Sequence, residues 1–128
     1  MDHPVQTSGR FQYLQQGEGE PVVLLHGLFG AMGNYKPLLD LLKDHYQLTV
    51  PLLPIYELSS REVSILTLTQ HVQAFLAHMG WEKAHLVGNS LGGHIGLLLT
   101  LEQQELVQSL TLTGSSGLFE NALGTSFP

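Results

Sequence analysis

The chain has 128 residues, is 43% hydrophobic, contains no cysteine and carries 11 acidic against 5 basic side chains. A chain of this size buries about two thirds of its unfolded surface, enough for one core, and an acidic balance with no basic cluster speaks against nucleic acid or an anionic membrane and for a small-molecule partner. Without cysteine there is no disulfide framework and no Cys-based metal site, and neither an export signal at Met1-Asp2-His3-Pro4 nor an apolar run of about 18 residues is present, so a cytoplasmic protein without a membrane span is expected.

Phe11 and Tyr13 alternate with polar residues and predict an edge strand, which a hairpin turn at Gly17-Glu18-Gly19-Glu20 joins to the continuous apolar run Val22 to Leu25. Such a run suits a parallel strand buried on both faces. It ends in the glycine-punctuated loop His26-Gly27-Leu28-Phe29-Gly30. Asn34 is a candidate N-cap for a helix with Pro37 in its first turn and Leu38, Leu41 and Leu42 on one side. Gln47 to Val50 is a shorter strand candidate, stopped by Pro51 and Pro54, and the loop after it contains Ser59 and Ser60. Leu68, Val72, Phe75, Leu76 and Met79 trace one face of a helix over Ile65 to Met79, which Gly80 closes. Ala84 to Val87 is the next strand, Leu91 to about Leu101 the next helix, and Ser109 to Thr113 a further strand. It leads into Gly114-Ser115-Ser116-Gly117, a turn, and a tail without periodicity. Repeated strand-then-helix order implies an α/β fold with a mostly parallel sheet and helices on both faces.

The most informative stretch is Leu86-Val87-Gly88-Asn89-Ser90-Leu91-Gly92-Gly93, where a strand breaks at Gly-x-Ser-x-Gly and runs directly into a helix. This is the pattern of a nucleophile elbow, a strained turn that projects the serine hydroxyl above the sheet, with small residues two positions to either side because backbone closes in there. Gly88 and Gly92 occupy those positions. Gly92, Gly93 and Gly96 in the helix would each cost roughly 1 kcal/mol relative to alanine, which close approach of the helix to neighbouring strands would offset. Acyl transfer needs an oxyanion site; the Leu91 amide is one expected donor, and the loop after Val22 to Leu25 offers the Leu28 amide as the second, with Phe29 next.

Residues 17–27 (Gly-Glu-Gly-Glu-Pro-Val-Val-Leu-Leu-His-Gly), Ala84 to His94, and Leu110-Thr111-Leu112-Thr113-Gly114-Ser115 resemble, in order, the third-strand loop, elbow and sixth strand of the α/β-hydrolase family. The resemblance implies that residues 1–128 are the amino-terminal part of an α/β-hydrolase core, ending near the start of the lid region. Gly-Asn-Ser-x-Gly-Gly-His is similar to the elbows of esterases and of meta-cleavage-product hydrolases, and a serine in place of aspartate speaks against the dehalogenase and epoxide hydrolase branches. Ser90 is then the nucleophile, Leu91 and Leu28 supply oxyanion amides, and Gly27, Phe29, Asn89 and His94 are candidate binding residues. His26 braces the oxyanion loop, and Gly88 and Gly92 shape the turn.

The family's triad runs serine, acid, histidine along the chain. The acids after Ser90 are Glu102, Glu105 and Glu120, and the only later histidine, His94, precedes them all. No triad in that order can be built, so the acid and base are expected beyond Pro128 and the chain reads as a fragment. His94 is no substitute, because no acid is placed to orient it. His3, His45, His71, His78 and His85 show no metal-ligand spacing, and no metal or cofactor is expected. Three functions stay open: a serine hydrolase of a small ester or related acyl substrate, a carbon-carbon bond hydrolase, and a non-catalytic binding module. An apolar sheet edge left open after the last strand is an expected site of self-association or of a complementary chain.

Overall fold

The computed structural model of the chain describes residues 4–26, 35–55 and 64–114. Its strands are β1 (Gln6–Ser8), β2 (Phe11–Gln16), β3 (Glu20–Leu25), β4 (Tyr46–Pro51), β5 (Ala84–Asn89) and β6 (Val107–Thr113), and its helices are α1 (Lys36–Leu42), α2 (Ile65–His78) and α3 (Leu91–Glu102). The strands form one sheet in the order β1-β2-β4-β3-β5-β6. Four of them, β4, β3, β5 and β6, run parallel, while β1 and β2 are antiparallel additions. The sheet is therefore mostly parallel, as the strand-then-helix order requires.

Apolar alternation distributes the strands between two faces. Val23 and Leu25 of β3 join Leu86 of β5, Leu68, Val72 and Leu76 of α2, and Ile95 and Leu99 of α3 in one buried cluster. Val22 and Leu24 point the other way, into a cluster with Leu48 and Val50 of β4 and Leu39 of α1. Helices thus cover both faces, and β3 is apolar throughout because both of its sides are buried. Each such fully buried aliphatic side chain contributes roughly 1.5–3 kcal/mol.

Two expectations about the amino-terminal region are corrected. The strand carrying Phe11 and Tyr13 is not an edge strand, since β1 pairs outside it, and Gly17 to Glu20 is not a hairpin turn, because β2 pairs with β4 instead of β3. Phe11 and Tyr13 are buried against Phe75 of α2, a packing that holds β2 inside the sheet. Tyr35 takes the N-cap position of α1, with Pro37 in the first turn; Asn34, the expected cap, lies outside the described residues. Helix α2 begins with a capping box in which Ser64 Oγ accepts from the Thr67 amide and Thr67 Oγ1 accepts from the Ser64 amide, both at 3.0 Å. Among the described residues, no helix is long and apolar enough to cross a membrane.

Candidate active site

At the carboxyl end of β5 the chain reverses through Ser90 into α3. Ser90 has φ 54° and ψ −117°, and among the described residues it is the only non-glycine with positive φ. That conformation is strained for an L-residue and persists only where surrounding structure imposes it. The Ser90 side chain makes no capping hydrogen bond to the helix that it starts and is exposed. Its carbonyl accepts from the His94 amide at 3.2 Å, which closes the first turn. Leu91, as the first helical residue, has an amide with no intrahelical acceptor.

The strain is imposed by backbone crowding. A Cβ on Gly88 would lie 2.6 Å from the Gly92 carbonyl oxygen and from Gly93 Cα, while one on Gly92 would overlap the Leu25 carbonyl. Glycine at both positions lets the first turn of α3 sit directly on the ends of β3 and β5. A Cβ on Gly96 would approach Leu110 Cδ1 at 2.9 Å, so the glycine-rich face of α3 is the face laid against the sheet.

Two side chains tie the end of β3 to its neighbours. His26 is buried, and its Nε2 accepts from the Leu53 amide at 3.1 Å, which assigns the proton to Nδ1 and anchors the residue after β3 to the segment following β4. The Tyr35 hydroxyl donates to the Leu25 carbonyl at 2.9 Å and accepts from the Asn89 amide. Burial pushes the Tyr35 phenol up to about 12, partly countered by the Asn89 hydrogen bond. The sequence gives His26 a bracing role without naming Leu53 as its partner, and it does not point to the Tyr35 tether at all. A tyrosine at the start of a helix reads as core, and only the sheet order brings Asn89 to it.

Asn89 turns its side chain toward β6, where Oδ1 lies 3.2 Å from Thr113 Oγ1. The His94 side chain is partly buried in the first turn of α3. Gly27, Leu28 and Phe29 lie outside the described residues, as do His3, Ser59, Ser60, Ser115, Ser116 and the tail from Leu118. Among the described residues, no group of three or more His, Asp or Glu side chains is arranged to hold a metal ion.

A second serine, histidine and acid do meet, at the opposite edge of the sheet. His85 Nδ1 lies 2.7 Å from Ser109 Oγ, and His85 Nε2 lies 2.7 Å from Glu20 Oε2. Sequence spacing hides this group because the residues come from three strands. It is not a second hydrolytic centre. Ser109 sits within an extended strand and not at a strained strand-to-helix turn like that of Ser90, and α1, α2 and α3 all start at the carboxyl side of the strands, away from this edge.

Residues 20–127 match the family model of the alpha/beta hydrolase fold. The chain belongs to the α/β-hydrolase family. It is 32% identical over 114 residues to the 2-hydroxy-6-oxo-6-(2'-aminophenyl)hexa-2,4-dienoic acid hydrolase of Metapseudomonas resinovorans, covering 84% of this chain and 39% of that protein. Among solved structures it superposes on MGS-MChE2, an alpha/beta hydrolase enzyme from the metagenome of sediments from the lagoon of Mar Chica, Morocco. The TM-score is 0.86 and the identity 43%, over 93% of this chain and 54% of that one. It also superposes on a serine hydrolase involved in carbazole degradation, with TM-score 0.76 and 34% identity over 84% of this chain and 45% of that one. The chain thus spans about two fifths to one half of the length of these α/β-hydrolase relatives.

Proposed function

We propose that this chain is the nucleophile-bearing part of a serine hydrolase that acts on a small ester or related acyl substrate. The observation that carries the reading is Ser90, exposed at a strand-to-helix turn in a conformation that costs energy and leaves its hydroxyl unused for capping. Its Oγ attacks the substrate carbonyl carbon and forms the new C–O bond as the carbonyl electron pair moves onto oxygen. The Leu91 amide, at the positive end of α3, stabilises that oxyanion, with Leu28 as the second donor. The proton leaves to a histidine, oriented by an acid, supplied by residues carboxy-terminal to this stretch. Gly27, Phe29, Asn89 and His94 are the candidate substrate-binding residues of this reading. The protein works in the cytoplasm, and the edge of β6, unpaired among the described residues, takes a further strand or a second copy.

Carbon-carbon bond hydrolysis is the second reading, favoured by the 32% identity to a 2-hydroxy-6-oxo-dienoic acid hydrolase. Turnover of p-nitrophenyl acetate and of a vinylogous 1,5-diketone by the protein as its gene encodes it separates the two. Ester turnover with the diketone untouched supports the first. A kcat/KM for the diketone well above that for the ester overturns it in favour of the second, and turnover of neither by a folded protein supports a binding module instead.

A further inference from the structure

The parallel ladder between β3 and β5 ends at the pair Leu25 and Gly88. Beyond it the two chains diverge, His26 toward Leu53 and Asn89 into the elbow. At this fork stands the Tyr35 phenol, which is buried and brought from the start of α1. Its hydroxyl donates to the Leu25 carbonyl at 2.9 Å and accepts from the Asn89 amide, so it acts as one more rung between strands that no longer pair. The same Leu25 carbonyl is the surface on which Gly92 rests. Two ties therefore converge on the elbow: the Asn89 amide, just before Ser90, is linked to the Leu25 carbonyl through the Tyr35 hydroxyl, and Gly92, just after Ser90, packs directly on that carbonyl.

We propose that Tyr35 is a positioning residue for the nucleophile, its hydroxyl holding Asn89 and Leu25 at the separation that aims the Ser90 elbow. This rests on the reading of Ser90 as the nucleophile. Through its bonds to Leu25 and Asn89, Tyr35 sets the backbone from which Ser90 projects. A displacement of about 1 Å at a reacting group costs on the order of a hundredfold in rate, so a change here acts on the chemical step and leaves binding largely alone.

The test uses the encoded protein, its ester kinetics and its rate of covalent reaction with a fluorophosphonate. Tyr35→Phe keeps the ring and removes the bridge. The expected result is a fall of roughly 10- to 100-fold in kcat and in labelling rate, with KM within about threefold of wild type. Thr69→Val is the control for stability, since it removes the hydrogen bond from Thr69 Oγ1 to the Ile65 carbonyl within α2, away from the elbow; its rates are expected to match wild type. Unchanged kcat in Tyr35→Phe overturns the proposal, and so does an equal loss in Thr69→Val at a similar melting temperature. Should Tyr35→Phe not fold, site-specific 3,5-difluorotyrosine at position 35 keeps the shape and makes the phenol more acidic. The rate is then expected to fall at a lower pH than in wild type, and an unshifted profile overturns the proposal. A folded wild-type protein that the probe does not label overturns the nucleophile reading itself, and this inference with it, before any variant is made.

Discussion

Gly92 of α3 rests on the carbonyl of Leu25 at the end of β3, so closely that a single added methyl group would overlap the backbone there. This contact joins the turn that carries Ser90 to the end of β3, and it makes the helix amino terminus a fixed part of the sheet edge. Because the neighbour is backbone, it cannot rotate away. Gly92→Ala is expected to lower stability by about 2 kcal/mol or more, read as a fall in the urea midpoint. A midpoint equal to wild type would contradict the contact.

Ser90 invites the opposite substitution. Relief of positive φ at a non-glycine recovers of order 1–3 kcal/mol, less the greater chain entropy that glycine loses on folding. Ser90→Gly is therefore expected to stabilise the fold by about 1 kcal/mol and to abolish reaction with a fluorophosphonate. A destabilised variant would show that the turn is not strained.

The buried phenol of Tyr35 gives the protein an alkaline limit. With the group at about 12 in the folded state and near 10 when unfolded, its stability contribution is complete below about pH 10. As pH rises further, the unfolded chain ionises first, so stability falls between about pH 10 and 12 by roughly 2–3 kcal/mol. Unfolding free energies measured across that range should show this loss in wild type and not in Tyr35→Phe. Parallel curves for the two proteins would refute it.

His26 should matter through the partner it leaves behind. His26→Ala strands the buried Leu53 amide, at a cost of about 1–3 kcal/mol in addition to lost packing. His85→Ala at the other edge breaks the link to Glu20, which is 71% exposed, and should cost well under 1 kcal/mol after solvent screening. Equal losses in thermal or urea unfolding would contradict this ranking.

The parts legible in the sequence were those whose signal is local. The apolar run Val22 to Leu25, the face Leu68 to Leu76 and the glycines around Ser90 each declare their surroundings within a few residues, and β3, α2 and the turn into α3 stand where that pattern places them. What escaped depends on long-range pairing. Strand β1 is Gln6-Thr7-Ser8, polar and three residues long, with no alternation to read. That β4 inserts between β2 and β3 follows from the crossover through α1 and not from the residues at Gly17 to Glu20. The Tyr35 bridge and the His85 cluster likewise join residues that only the sheet order makes neighbours.

Ser90, held in a strained turn with its hydroxyl exposed, is the nucleophile on which the proposed function rests. The most direct test of that role is mass spectrometry of the encoded protein after exposure to a fluorophosphonate, with Ser90→Ala alongside. One adduct is expected, on the peptide containing Ser90 and absent from the variant. A folded, unlabelled protein, or an adduct that persists in Ser90→Ala, would contradict it.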